Sequence, residues 1–464
     1  MKKKTFLIIL TLVFICFSGA FKLHLLLAED RAGCNLQSEV SLENVSPLIA
    51  FTTIALGGFR GIIADMLWMR ATRLQEEHCF FESAQLADWI TKLEPHFPAV
   101  WAFHAWNMAY NISILFPEPE NRWRWVQHGI SLLRDEALTI NPRVPVLYYE
   151  LAWLYQHKIG FVMDEAHWYY KFQLAQQMAE LFDGPRPDYE KLSKDSSARL
   201  QNEYKLIPKI MKKLEQEYGL LDWRLPATHA LYWAYRGISL KPAGKSGFIC
   251  QRMILQSIME AFRHGKLFIE PENELFLTVP NLNILPNAVN TYEQAIAKYD
   301  DVVFHEAYVR FLMDAIVILY SYNHILQAKQ VFVKLSRKYP DAVHDLDFNA
   351  FIASSFIQDV KNTPEERIIA LVEGFLFQSY FWLALGEHDR ATGFERLSKL
   401  LFYKYTESRM SENHLKRTGL PSWEVIRQKA YQRAISEISQ TNLVVRLKAL
   451  APSNALPTLQ EPAQ

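Results

Sequence analysis

The chain has 464 residues, half of them hydrophobic and 13% aromatic, so it carries ample apolar material for a sizeable core. Its 50 basic residues balance 50 acidic ones, which argues against nucleic acid as a partner, because neutralising phosphates demands a basic excess. Only 17 glycines are present, leaving little material for glycine-rich phosphate loops or tight β-turns.

The N-terminus reads Met-Lys-Lys-Lys, then an uncharged run over 5–17, then Ser18, Gly19 and Ala20, then an apolar patch over 23–28 broken by His24. Two readings fit residues 1–28. A signal peptide would use Lys2 to Lys4 as its basic region and Ser18-Gly19-Ala20 as its cleavage site. A signal anchor would use 6–27 to span a hydrocarbon core of about 30 Å, with Lys22 and His24 snorkelling at the far interface. Length favours the anchor. Both readings leave the basic end in the cytoplasm and the remainder outside. The expected location is therefore a bacterial inner membrane, single-pass, with the C-terminal domain in the periplasm or outside the cell.

Residues 29–59 read as a linker entering the first helix. The apolar stretch 47–69 contains Arg60 and Asp65, both costly in lipid, so it reads as a loop entering a buried amphipathic helix. Of the four cysteines, Cys16 lies in the N-terminal apolar segment. No CxxC pair occurs. In an exported domain Cys34, Cys79 and Cys250 either include one disulfide or are buried or free thiols.

Helical periodicity recurs along the rest of the chain. It predicts helices over 60–77, 80–93, 99–115, 122–139, 146–158 and 165–182, forming an N-terminal repeat region, 60–183. A less regular middle region, 184–287, opens on Gly184-Pro185-Arg186-Pro187. It holds predicted helices over 192–218, 227–239 and 248–264, a solvated turn over 241–247 and an irregular connection over 271–286. A C-terminal repeat region, 288–450, holds helices over 288–299, 303–322, 325–338, 365–385, 389–405 and 423–447. The tail, 451–464, reads as disordered. Strand signals are scarce and most loops are short. The expected class is all-α, built from consecutive antiparallel helices.

Windows of 34 residues share a pattern. In 309–342 it runs Leu312, Ala315, Leu319, Ala328, Phe332 and Pro340; in 64–97 it runs Leu67, Ala71, Leu74, Ser83, Ala87 and Pro95. The window 372–405 carries Phe375, Trp382, Gly386 and Ala391 without the closing proline, and 136–142 matches a closing stretch. This pattern resembles the tetratricopeptide repeat family. The resemblance implies an α-α superhelix of antiparallel helix pairs, in which small residues let helices approach and each pair buries its neighbour's apolar face. It also implies a concave groove that binds peptides.

The stretch 101–113 places His104, Asn107 and Asn111 on one helical face, opposite Trp101, Ala105, Met108 and Ile112. Two asparagines one turn apart in a helix call for a reason. Either the three polar residues line the groove, with Arg60, Arg70 and Arg73 as charge partners, or the asparagines satisfy buried loop backbone between helix pairs. The aromatics Trp123, Trp125, Trp153 and Trp168 are either packing between helix pairs or a stacking platform for glycan or peptide.

No catalytic constellation emerges. Gly244-Lys245-Ser246 lacks the earlier glycine and the strand of a phosphate loop. His78-Cys79 and His344 lack metal-ligand spacing, so neither metal nor cofactor is expected. The leading expectation is a non-enzymatic, membrane-tethered extracytoplasmic scaffold for a protein or peptide partner. The alternatives are an envelope enzyme or enzyme subunit acting on cell-wall or surface polysaccharide, with facing carboxylates in a deep pocket, and a subunit of an export or pilus-type assembly.

Overall fold

The computed structural model describes residues 60–241, 243–270, 275–357, 363–410 and 421–451, with scattered helical positions between 15 and 27. Most of the anchor or signal segment lies outside the described residues, and the linker 29–59, Cys34 and the tail beyond Ala451 lie wholly outside them. The chain is 78% helical and 2% strand, as the periodicity requires. It divides into two compact units, one through Leu151 and one from Ala152.

The first unit contains α1 (Arg60–Glu76), α2 (Phe80–Leu93), α3 (Pro98–Trp106) and α4 (Pro119–Ser131). The unit boundary falls within α5 (Pro145–Trp153). Helices α3 and α4 open on proline, whose missing N–H is no loss in a first turn and whose φ already suits a helix. Both run on into π-helical turns, Asn107–Ile112 and Leu132–Ala137. They cross closely: a Cβ on Gly129 would meet the Ala105 carbonyl oxygen at 2.7 Å.

The second unit begins with the end of α5, which becomes a π-helix over Leu154–Ile159. It continues through α6 (His167–Ala179), α7 (Lys194–Asn202), α8 (Pro208–Tyr218), α9 (Pro226–Leu240) and α10 (Gly244–His264). A two-stranded antiparallel hairpin follows, β1 (Lys266–Glu270) with β2 (Leu275–Val279), in the register Lys266↔Val279. Then come α11 (Leu285–Tyr299), α12 (Val302–Ser321), α13 (Ile325–Lys338), α14 (Phe348–Ser354), α15 (Glu365–Ala384), α16 (His388–Met410), α17 (Trp423–Glu437) and α18 (Thr441–Leu450).

Several expected bounds need correction. The single helix expected over 192–218 is two, because Pro208 drives Ile207 into extended geometry (φ −91°, ψ 114°). The helix expected over 423–447 breaks at Ile438, which is extended, and the Asn442 side chain takes up the Leu443 N–H at 2.9 Å. The connection over 271–286 contains β2, whose Leu-Phe-Leu-Thr-Val sequence suits a pleated surface. The turn expected over 241–247 ends at Ala243, and Gly244-Lys245-Ser246 form the first turn of α10.

The three repeat windows share a local geometry that goes beyond their sequence pattern. Each turns between its helices at the fifteenth position, through a left-handed residue: His78 (φ 61°), Asn323 (φ 64°) and Gly386 (φ 84°). Each turn has the same pair of bonds. The His78 N–H donates to the Gln75 carbonyl (3.1 Å) and the Cys79 N–H to that of Leu74 (2.8 Å). The Asn323 and His324 amides reach Tyr320 (3.0 Å) and Leu319 (2.8 Å). Those of Gly386 and Glu387 reach Leu383 (3.0 Å) and Trp382 (2.9 Å). These bonds satisfy carbonyls that a helix end would otherwise leave open.

In two of the windows the eighth and twentieth positions then touch across the helix pair. In α1/α2 the Ser83 hydroxyl donates to the Ala71 carbonyl at 2.9 Å; in α15/α16 the Ser379 hydroxyl donates to the Ala391 carbonyl at 2.7 Å. The same two positions are joined with donor and acceptor exchanged. In α12/α13 they are the fully buried Ile316 and Ala328. Gly393 extends the close packing, since a Cβ there would meet the Ser321 carbonyl oxygen at 2.0 Å.

Among the described residues, α15 alone is long and apolar enough to cross a membrane. It packs on α16, α17 and α18 through Val372, Leu376 and Tyr380, and its Glu373 lies between Lys429 (3.6 Å) and Arg433 (3.7 Å).

Candidate functional site

In the first unit, His104 and Asn107 are buried and Asn111 is half-buried. The Asn107 amide nitrogen donates to the Phe80 carbonyl at 2.9 Å, and its oxygen accepts from the Asn111 amide at 2.9 Å. The pair thus ties the π-helical turn after α3 to the first residue of α2. His104 Nδ1 has no hydrogen-bond partner among the described residues, and burial pushes the imidazole down to about 4. Arg60 opens α1; Arg70 is exposed; Arg73 is exposed and pairs with Glu77 at 3.0 Å. Neither Arg70 nor Arg73 forms an ion pair or hydrogen bond with the His104 face.

The tryptophans separate. Trp123 is buried, and Trp125 is half-buried against Phe81 (5.7 Å between centroids), Phe116 (6.3 Å) and His128 (5.5 Å). Both belong to the first unit, whereas Trp153 and Trp168 belong to the second.

In the second unit, a loop, the helices α6, α9 and α10, the π-helix after α5 and strand β2 line a pocket. The loop runs from Gly160 to Ala166, and Lys158 and Asp164 fix it from inside. Lys158 Nζ lies 2.5 Å from the Asp164 carboxylate, which also accepts from the Ala166 N–H (2.9 Å) and the Tyr170 hydroxyl (3.0 Å). Burial alone would push Asp164 up. These hydrogen bonds and the Lys158 charge outweigh it and hold the carboxyl at about 2. With its polar foot pinned, the loop turns Phe161, Val162 and Met163 outward, 49%, 72% and 71% exposed. Trp153 stacks on His157 (4.6 Å, 13° between planes) and His157 on Phe161 (5.7 Å, 8°), a ladder ending at the pocket lip.

The cavity holds about 370 Å³, within the range of small-ligand sites. Phe161, Val162, Trp168, Leu225 and Pro226 supply much of the apolar lining. Lys171, Glu260, Arg263 and His264 supply the charge-bearing side, with Gln156 and Thr278 beside them. Arg263 is committed to Asp314 and to Glu260 (3.4 Å). Lys171 is 9% exposed; it meets His167 Nδ1 at 3.3 Å and the Trp168 ring at 5.2 Å, and no carboxylate lies within ion-pair reach among the described residues. Burial pushes its ammonium down, with Glu260 opposing.

The chain matches no protein family model, no curated protein and no solved structure.

Of the residues singled out by sequence, Trp168 lines this pocket and Trp153 props its lip. Lys171, Glu260, Arg263 and His264 were missed. By pattern alone, charged residues on amphipathic helices are indistinguishable from solvated surface. The usable signal was Trp-Tyr-Tyr-Lys at 168–171, a lysine one turn into an aromatic run. Among the described residues, no group of three or more His, Cys, Asp or Glu side chains gathers as a metal site would require. Cys79 is a half-buried thiol; Cys250 is fully buried, and burial pushes its thiol up to about 12.

Proposed function

We propose that this chain is a membrane-tethered, extracytoplasmic helical-repeat scaffold that binds a protein or peptide partner through the pocket of its second unit. The observation that carries this reading is the pocket itself: an outward-turned aromatic and aliphatic lip beside a buried lysine that has no carboxylate in ion-pair reach among the described residues. Exposed apolar side chains grouped around a cavity mark interaction sites more often than scattered ones do. A tetratricopeptide-like superhelix is the proposed frame. The shared turn at His78, Asn323 and Gly386 supports it, as does the shared contact between the eighth and twentieth window positions. The tether and its orientation rest on Lys2 to Lys4 and the apolar run behind them.

The enzyme alternative has less support. Acid–base cleavage of a glycosidic bond needs two carboxylates facing across a cleft. Glu260 is the one carboxylate among the described lining residues, and Arg263 engages it.

Two measurements test the proposal. Alkaline phosphatase fused after Ala451 should be active in cells and β-galactosidase at the same position inactive; the reverse pattern refutes the extracytoplasmic placement. A partner recovered with the detergent-solubilised chain in fixed stoichiometry should be lost when Phe161→Ser and Trp168→Ala are combined. Retention of that partner refutes the pocket as the binding surface.

A further inference from the structure

We infer that the pocket of the second unit receives a carboxylate carried on an apolar group, with the Lys171 ammonium as its counter-ion. This rests on the pocket being the binding site proposed above and adds the chemistry of what enters it.

A buried cation is costly unless it is paired. Within the same unit Lys158 is paired with Asp164, Arg224 with Asp222 and Arg263 with Asp314. Lys171 is as buried as these and lacks an equivalent partner among the described residues. Unlike Lys158, it lies on a cavity wall, so an anion can reach it from outside. The open end of α9 adds to the attraction. Pro226 and Ala227 line the cavity in the first turn, where the helix dipole is positive, and the Ala227 N–H has no acceptor among the described residues.

The same surroundings select the kind of anion. Glu260 beside Lys171 disfavours a doubly charged group such as a phosphate monoester, and the single uncompensated ammonium suits a monoanion. Phe161, Val162, Trp168 and Leu225 are in place to cover an aromatic or branched aliphatic side chain attached to it. The C-terminus of a polypeptide ending in an apolar residue has this chemistry, and so does a free aryl or aliphatic acid.

The test uses the full chain in detergent and three probes: a hexapeptide ending in phenylalanine with a free carboxylate, the same peptide as its C-terminal amide, and 3-phenylpropionate. Binding is followed by tryptophan fluorescence and calorimetry. The free-carboxylate peptide should bind saturably and the amide at least about tenfold more weakly, the loss expected of a charge-assisted contact. Lys171→Met should bring the acid down to the level of the amide, and Lys171→Arg should retain most of the binding. Tighter binding of the peptide than of phenylpropionate identifies a chain end as the source; equal binding identifies a free acid. A purely structural Lys171 predicts a lower melting temperature for Lys171→Met, whereas an unpaired ammonium predicts an unchanged or higher one. Equal affinity for acid and amide, or saturable binding of neither, overturns the inference. If neither probe binds while partner recovery still requires Phe161 and Trp168, this inference fails and the proposed function stands.

Discussion

Lys158 and Asp164 face each other at 2.5 Å, each almost fully buried, and their pairing closes the loop that forms the lip of the pocket. The six-residue separation means that one ion pair sets the path of everything between, including Phe161 and Val162. The geometry of the candidate site therefore depends on a contact that no ligand touches.

Breaking that contact from one side is expected to be expensive. Asp164→Asn removes the carboxylate charge that Lys158 faces at 2.5 Å and should cost about 3–5 kcal/mol, measured by urea denaturation. Pairing it with Lys158→Met should recover most of that loss, because the Lys158 charge is then gone. A double variant as unstable as the sum of the singles would show that the pair is not the source of the effect. The carboxyl is held at about 2 in the fold and titrates near 3.8 when free. Its contribution is thus complete above pH 3.8 and is lost as the pH falls towards 2.

His104 should make the first unit acid-sensitive in a different window. Its imidazole is pushed down to about 4 by burial, against 6.5 unfolded. The unfolded chain takes up the proton first, so stability is full above pH 6.5 and falls between pH 6.5 and 4. The shift corresponds to about 3 kcal/mol. His104→Gln should flatten that slope in hydrogen-exchange measurements on α3. An unchanged slope would place the acid sensitivity elsewhere.

Asn107→Ala should destabilise the first unit by about 1 kcal/mol, the loss of the hydrogen bond its amide donates to the Phe80 carbonyl. Partner recovery at a temperature where the variant stays folded should be unchanged. A binding defect without loss of stability would restore the His104 face as a groove.

The repeat register makes a paired prediction. Ser83→Ala and Ser379→Ala each remove a buried side-chain bond between the two helices of a window and should each cost about 1 kcal/mol. The bulkier Ser83→Leu and Ala391→Leu should cost more, because these positions set how closely the helices approach. Equal effects of small and large residues would argue against a shared close contact.

The windows were legible in the sequence because their determinants are local: small residues at Ala71, Ser83 and Ala328, and a turn residue at Gly386. The hairpin was not, since Lys266–Glu270 follows α10 after one residue and its alternation is only five residues long. Helix α14 escaped notice although Asp347 caps it, its carboxylate taking the Ala350 N–H at 2.8 Å. The pocket was beyond the reach of pattern. Lys171, Pro226 and Arg263 come from three helices separated by tens of residues, and each taken alone resembles an ordinary helix position. What distinguishes Lys171 is the lack of a carboxylate in ion-pair reach among the described residues, and only packing reveals that.

The most direct measurement of the central claim is photo-crosslinking in intact cells from an unnatural residue at position 168, with Lys212 on the exposed face of α8 as the control position. The account predicts a discrete crosslinked partner from 168 that is absent from 212 and lost when Lys171→Met is added. No crosslinked species from 168, or the same species from both positions, would contradict it.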